Sequence, residues 1–246
     1  MDKDSIVLIP SRLSASRLPN KPLLKIHGQE MILHCYERAV AADVGRVVVC
    51  AGDEEIVDCV KKKGGEAILT PADLPSGTDR IYYGLKKLAN HQQYKRIINL
   101  QGDIPNMSPF MLKKIADGLL CRDYGIITPV CLQKNQAKKN NPDVVKAICQ
   151  MNDNEKPLPI FYFTRSPAPY GDDMFFHHIG VYGYQRDILE KFVTLKPSLL
   201  EKTEKLEQLR ALENGIKIFA VVVKDKPLSV DTAEDLAIAQ KIMQKK

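Results

Sequence analysis

The chain has 246 residues, 44% of them hydrophobic, and 36 Lys and Arg against 30 Asp and Glu give a formal net charge of +6. That length fits a single large α/β domain with a sizeable core, and no apolar run approaches the ~18 residues that a membrane span requires. The basic residues are scattered apart from Lys61–Lys63, which argues against a nucleic-acid surface and suits a mild positive field for small anions.

The first element is SIVLIP (5–10), preceded by an acidic start with no cleavage pattern, which argues against export. It and RVVVCAG (46–52), RIINLQGD (96–103) and GIITPV (125–130) read as strands that are apolar almost throughout, the pattern of strands buried on both faces of a parallel sheet. Helices are predicted between them over 30–42, 54–64, 78–89 and 108–120. In the first of these, Ile32, Cys35, Tyr36 and Ala39 share one face. The βαβα alternation predicts an α/β fold with an open, mostly parallel, three-layer sheet, whose strand C-termini line the ligand edge. After residue 130 the rhythm breaks into strand-like runs separated by Pro, Asn and Asp, which reads as an antiparallel extension, or arm. A helix over 198–215 ending at Gly215, a strand over 216–223 and a helix over 231–244 with Thr232 and Asp235 as a capping box complete the chain. The expectation is one domain over 1–246, with a core over 1–130, an extension over 131–225 and a returning loop and helix over 226–246. Six cysteines, Cys35, Cys50, Cys59, Cys121, Cys131 and Cys149, form no C-x-x-C pair and read as small buried hydrophobes in a reducing compartment.

The chemistry concentrates where strands end. IPSRLSASRLPNKPLL (9–24) follows the first strand and carries Arg12, Arg17 and Lys21. Three cations on the ligand edge match a triphosphate and its departing pyrophosphate, but spacing alone fits a solvated surface loop equally well. Asp103 ends a buried strand, where it could ligate Mg²⁺ or simply open the turn before Pro105. Asp231 could join it, because Thr232 and Asp235 can make the helix cap without it. Ser76 and Thr78 could meet a base or ribose, although an N-cap role is the commoner one. Arg165, His177, His178, Tyr182 and Tyr184 sit on strand-like runs, where His and Tyr are more often structural. Glu207 and Arg210 are spaced for a surface ion pair, and Gln208 for a solvated helix face.

Seven motifs in order resemble the 3-deoxy-manno-octulosonate (Kdo) cytidylyltransferases, the CMP-Kdo synthetases, over essentially the whole chain. They are IPSRLSASRLPNKPL, SGTDR (76–80), QGDIP, FTRSPAP, HIGVYGY, LEQLR and VDTAEDL. The resemblance implies a nucleotide-diphospho-sugar transferase type of sheet and transfer of CMP from CTP to Kdo with release of pyrophosphate. Arg12, Arg17 and Lys21 would then hold the triphosphate, and Asp103 and Asp231 would hold Mg²⁺. Ser76, Thr78, Arg80 and the Leu8 to Ser11 backbone, Pro10 included, would contact the nucleotide. Gln101, Arg165, His178, Tyr182, Glu207 and Gln208 would line the sugar site, with Arg165 facing the sugar carboxylate. A homodimer formed through residues 150–185 and a cytoplasmic role in lipopolysaccharide assembly are also implied.

Four positions depart from the family pattern. Ile104 replaces a Glu, Ala51-Gly52 a Thr-Asp, Ala168 an Ile and Ala233 a Pro. Two other readings stay open: a cytidylyltransferase for another acidic sugar, such as 8-amino-Kdo or a sialic-acid relative, and, on account of Ile104 beside the proposed metal Asp, a sensor that binds CTP without turnover. Retention of Arg12, Arg17, Lys21, Asp103 and Asp231 argues against the sensor.

Overall fold

A computed structural model describes residues 2–14, 17–150, 156–171 and 173–243. Ala15 and Ser16 of the cation-bearing loop, residues 151–155 and 172 of the extension, and Gln244 at the end of the predicted last helix lie outside the described residues. The chain divides into two compact units, residues 1–113 with 227–246, and residues 114–226. The sequence reading placed these divisions at 130/131 and 225/226.

The first unit is built on β1 (Ser5–Ser11), every residue of which is buried. After β1 come the two-residue strands β2 (Lys25–Ile26) and β3 (Gln29–Glu30), then α1 (Met31–Ala42), β4 (Arg46–Ala51), α2 (Glu54–Lys62), β5 (Ala67–Leu69), α3 (Gly77–Lys87) and β6 (Arg96–Asn99). Within this unit the strands run in the order β6-β1-β4-β5, all parallel, with Leu8 opposite Val48 on one side and Asn99 on the other. β5 was not anticipated, because three residues are too short to show a period. α1 buries Ile32, Cys35 and Ala39, as its spacing requires, with Met31, Leu33 and Ala42 added. Gly84 on α3 faces β4, and a Cβ there would overlap the Cys50 sulfur.

The second unit follows from α4 (Pro109–Gly118), at which the division falls. It contains β7 (Ile126–Lys134), α5 (Gln136–Asn140), β8 (Lys146–Cys149), β9 (Leu158–Thr164), β10 (Met174–His178), β11 (Tyr182–Gln185), α6 (Arg186–Thr194), α7 (Leu199–Glu204), α8 (Leu209–Glu213) and β12 (Ile218–Val223). β10 pairs with both β8 and β7, so β10-β8-β9-β12-β7 closes on itself. Only the β7–β12 pair among these is parallel. The antiparallel character read after residue 130 is therefore present, and closure removes the open edges that invite wrong pairing.

The helix predicted over 198–215 is two helices. Lys205 adopts φ 55°, a left-handed conformation that ends α7. Arg210 then reaches back to Glu201 at 2.5 and 2.9 Å, holding the bend. Gly215 does terminate the segment, at φ 70°, with Ile216 N–H donating to Ala211 O across it.

The chain rejoins the first unit with α9 (Ala233–Ile242), capped by the Thr232–Asp235 box. Ile26, Met31, Val230, Ala239 and Met243 form a small core that seats this return on the β2–β3 hairpin. The hairpin turns through His27 and Gly28, both at positive φ. Cys35, Cys50 and Cys131 are buried, but Cys121 is exposed and Cys59 and Cys149 are half-buried, so the reading of all six as core residues is corrected for these three. No helix among the described residues is long and apolar enough to cross a membrane.

Because Gly84 leaves room for one sulfur and no more, Gly84→Ala is expected to cost about 1–3 kcal/mol of stability by overpacking. Urea unfolding monitored by circular dichroism checks this.

Candidate active site

The C-terminal edge of the first unit's parallel strands opens into a cleft of about 510 Å³. Its wall includes Pro10, Ser11, Arg12, Arg17, Lys21, Ser76, Arg80, Gln101, Asp103 and Asp231, all of them singled out from sequence. A parallel sheet brings its strand ends to one edge, so residues distant in sequence meet there.

Lys21 is placed by a short 3₁₀ turn over Lys21–Leu23, entered through Asn20 at φ 55° and anchored by buried Pro22. Its Nζ lies 2.7 Å from Asp103 Oδ2 and 3.0 Å from Asp231 Oδ1. Asp231 is held beside Asp103 by main chain, since Val230 N–H donates to Asp103 O at 2.9 Å. Arg17 Nη2 adds a looser contact to Asp231 at 3.5 Å. Burial pushes the Asp103 carboxyl above its ordinary value, with the Asp231 charge adding to the shift and Lys21 opposing it. Burial works against the charged form of Lys21, but the two carboxylates outweigh it and hold the ammonium above its usual value. Among the described residues no group of three or more His, Cys, Asp or Glu converges as for a protein-only metal cage. Two carboxylates converging on one cation position is the donor set that suits Mg²⁺, which takes one or two carboxylates and completes its shell with phosphate oxygens and water.

Arg80 is buried and donates to Thr70 Oγ1 at 2.5 Å, Pro71 O at 2.8 Å and Ala72 O at 3.1 Å. Burial, with the nearby charge of Arg12, pulls its guanidinium below the usual value. Gly52 explains how it fits, because a Cβ there would come 2.7 Å from Arg80 Nη1. The Ala51-Gly52 departure thus gives the space of a side chain to Arg80. Ile104 is 4% exposed, so the position beside Asp103 is apolar core rather than a further carboxylate.

Ser76 is the N-cap of α3, its hydroxyl accepting from Asp79 N–H at 3.1 Å and donating to Asp79 Oδ2 at 2.8 Å, and it lines the cleft as well. Leu8 and Thr78 lie behind the wall, both buried, and Leu8 O accepts from Leu100 N–H. Ser11 Oγ and Asn99 Nδ2 are buried without hydrogen-bond partners. Ser14, Leu18, Gly77 and Gly102 also line the cleft and were not singled out. Gly102 carried a legible signal, a glycine between a strand end and a carboxylate, and a Cβ there would approach Pro10 O to 2.9 Å.

Of the predicted sugar-site residues, Gln101 belongs to the first unit and hydrogen-bonds Asn99 Oδ1 at 3.1 Å. Arg165, His178, Tyr182, Glu207 and Gln208 belong to the second. His178 Nε2 lies 3.0 Å from Thr128 Oγ1, and burial pushes the ring down to about 3, so it is neutral at pH 7. Its ring is 5.5 Å from that of Tyr182, whose phenol burial raises well above its usual value. Arg165 is bound to the carbonyls of Pro142, Glu204 and Lys205. Glu207 is only a distant partner of Arg210 at 3.9 Å, since Glu201 takes that guanidinium, and Gln208 is buried rather than solvated.

Residues 6–218 match the family model described as Cytidylyltransferase. The 3-deoxy-manno-octulosonate cytidylyltransferase of Rhodospirillum rubrum is 41% identical, covering 97% of this chain and 95% of its own. That of Afipia carboxidovorans is 44% identical, covering 99% and 98%. A solved structure of CMP:2-keto-3-deoxy-manno-octonic acid synthetase complexed with CTP superposes with a TM-score of 0.87 at 35% identity, covering 98% of both chains.

The bridge makes a testable demand. Lys21→Met strands Asp103 beside Asp231, which is expected to destabilise the fold by about 1–3 kcal/mol at neutral pH, less than for a fully buried pair because both carboxylates keep some solvent. A carboxyl whose native value is raised binds its proton more tightly folded than unfolded. The penalty is therefore full above the native value and fades as pH falls through it. Urea titrations of both proteins at about pH 7 and about pH 5 should show the gap narrowing in acid.

Proposed function

The chain belongs to the 3-deoxy-manno-octulosonate cytidylyltransferase family, and from that premise we propose how its own residues carry CMP from CTP to Kdo. The observation that carries the reading is the cleft at the strand ends, with Arg12 and Arg17 beside an Asp103–Lys21–Asp231 bridge.

In this reaction the anomeric hydroxyl oxygen of Kdo attacks the α-phosphorus of CTP. The new O–P bond forms as the bond to the bridging oxygen breaks, pyrophosphate leaves, and the hydroxyl proton passes to solvent. Such transfers depend mainly on positioning and charge neutralisation. Arg12, Arg17 and Lys21 grip the triphosphate and stabilise the departing pyrophosphate. Asp103 and Asp231 would hold Mg²⁺ as the divalent cofactor, which when bound would neutralise phosphate charge and polarise the α-phosphorus. Lys21 already shows that this pair accepts a cation, and its flexible stem lets the ammonium turn to phosphate. Pro10, Ser11, Ser76 and Arg80 hold the cytidine, with Leu8 and Thr78 buried behind them, and the partnerless Ser11 hydroxyl supports a polar ligand at that wall.

Arg165, His178, Tyr182, Glu207 and Gln208 of the second unit receive Kdo, with Arg165 turned to its carboxylate, and Gln101 lines the cleft of the first unit. Neutral His178 acts as a hydrogen-bonding group and not as a cation. The enzyme works as a homodimer, a reading supported by apolar Leu132, Phe161 and Val222 left exposed on strands of the second unit. It acts in the cytoplasm, where CTP is available, and feeds lipopolysaccharide assembly.

Pyrophosphate release from CTP is expected to require both Kdo and Mg²⁺. Asp103→Ala should lower kcat/KM by about 10²-fold or more, the scale of losing a group that organises transition-state charge. Turnover by the unaltered chain would show that Ile104 is compatible with catalysis. CTP binding without pyrophosphate release would sink the assignment. Sedimentation velocity is expected to give twice the 27.7 kDa chain mass, and a monomer would remove the dimer from the reading.

A further inference from the structure

Lys146, the first residue of β8, is fully buried, yet among the described residues no carboxylate hydrogen-bonds to it. Its Nζ donates to three main-chain carbonyls, Asn141 O at 3.1 Å, Val144 O at 2.7 Å and Arg165 O at 2.5 Å. An ammonium in such a place is costly, and burial pulls it below its ordinary value with Arg165 adding to the shift. A methionine would fill the same volume without that penalty. The use of a lysine here therefore needs a reason beyond packing.

The three carbonyls supply one. They come from the turn before β8 and from the end of β9, so the ammonium ties two separate pieces of chain at one point. Arg165 closes the same loop from the other side, its Nη1 donating to Pro142 O at 2.9 Å. Glu204 completes the frame. Its carboxylate accepts from Thr164 Oγ1 at 2.8 Å and from Arg165 N–H at 2.9 Å, while its carbonyl accepts from Arg165 Nε at 2.8 Å. The next residue is Lys205, the left-handed break that separates α7 from α8. Gln208 follows three positions on, buried, with Nε2 lacking any hydrogen-bond partner. A buried amide donor left unsatisfied costs stability unless a ligand uses it.

We propose that Lys146 and Glu204 form a clamp of positioning residues that fixes Arg165 and the turn carrying Gln208 for the acidic sugar, without touching it. The inference rests on the reading of Arg165 as a sugar-site residue. It requires that loosening the clamp weaken the productive fit of the sugar while leaving the nucleotide alone.

The test is steady-state pyrophosphate release with CTP and Kdo varied separately, for Lys146→Met, Glu204→Gln and Arg165→Ala. Glu204→Gln keeps the shape but accepts one fewer of the two donated hydrogen bonds, and it serves if Lys146→Met fails to fold. The expected result is a KM for Kdo raised about tenfold or more in the clamp variants, with KM for CTP within about twofold, because displaced binding groups lose fit at the site they serve. A merely structural role would move both constants together or lower only the melting temperature, and either outcome overturns the clamp. If Arg165→Ala raises KM for Kdo and neither clamp variant does, the clamp alone is overturned. If Arg165→Ala leaves KM for Kdo unchanged, the sugar-site reading of Arg165 has failed and the clamp falls with it.

Discussion

The first unit depends on one ammonium. Lys21 Nζ joins Asp103 and Asp231, which lie 82 and 210 positions away in sequence. The strand β6, the loop after β1 and the return before α9 are thereby fixed at a single point. Partial exposure of the pair limits what the attraction contributes. Its larger effect is geometric, because it decides where two carboxylates stand. Those carboxylates repel, so their adjacency persists only while a cation lies between them. The small core of Ile26, Met31, Val230 and Ala239 supplies the other half of the constraint by seating the return loop. Neither half would suffice alone. Hydrophobic packing brings Asp231 near but has no directionality, and an ion pair has direction but little net stabilisation.

Much of this was legible in the sequence because a parallel sheet makes strand ends informative. A carboxylate or a cation loop after a buried run must face one edge, and Arg12, Lys21, Asp103 and Asp231 all do. The capping box at Thr232 was legible for a local reason, since its partner Asp235 is three residues on. The break at Lys205 was not, because the apolar period runs through it and the bend is held by Arg210 reaching Glu201, a tertiary contact. The pairing expected for Arg210, with Glu207, is present at 3.9 Å but is the looser one, because Glu201 holds the guanidinium at closer range. Spacing proposes neighbours along a helix, and the helix is not continuous there. The burial of Arg80 was also hidden, because its room comes from a glycine on another strand end.

Two of the departures from the family pattern, Ile104 and Gly52, bear on the charges of the cleft. Ile104 puts apolar core beside Asp103, where a carboxylate would have competed for the same cation. Gly52 lets Arg80 lie over the main chain with carbonyls and a threonine hydroxyl as its only hydrogen-bonding partners among the described residues. Carbonyl dipoles satisfy the donors of a guanidinium, yet they leave its net charge uncancelled.

That distinction orders the cleft. At one place two carboxylates share Lys21 at short range and Arg17 adds only a loose, exposed contact to Asp231 at 3.5 Å, so their charge is incompletely balanced. At another, Arg80 and exposed Arg12 are like charges close enough to disfavour each other. Each group is imperfectly compensated, and in opposite senses. A polyanion carrying a divalent cation is the ligand that corrects both at once, its negative oxygens meeting the arginines and its metal meeting the aspartates. On the proposed reading such a ligand gains at both places because the protein alone leaves their charge unbalanced, whereas a neutral molecule of the same size gains at neither. On the proposed reading, the choice of a metal-bound nucleoside triphosphate is a property of how the cleft's cations are held as much as of how many there are.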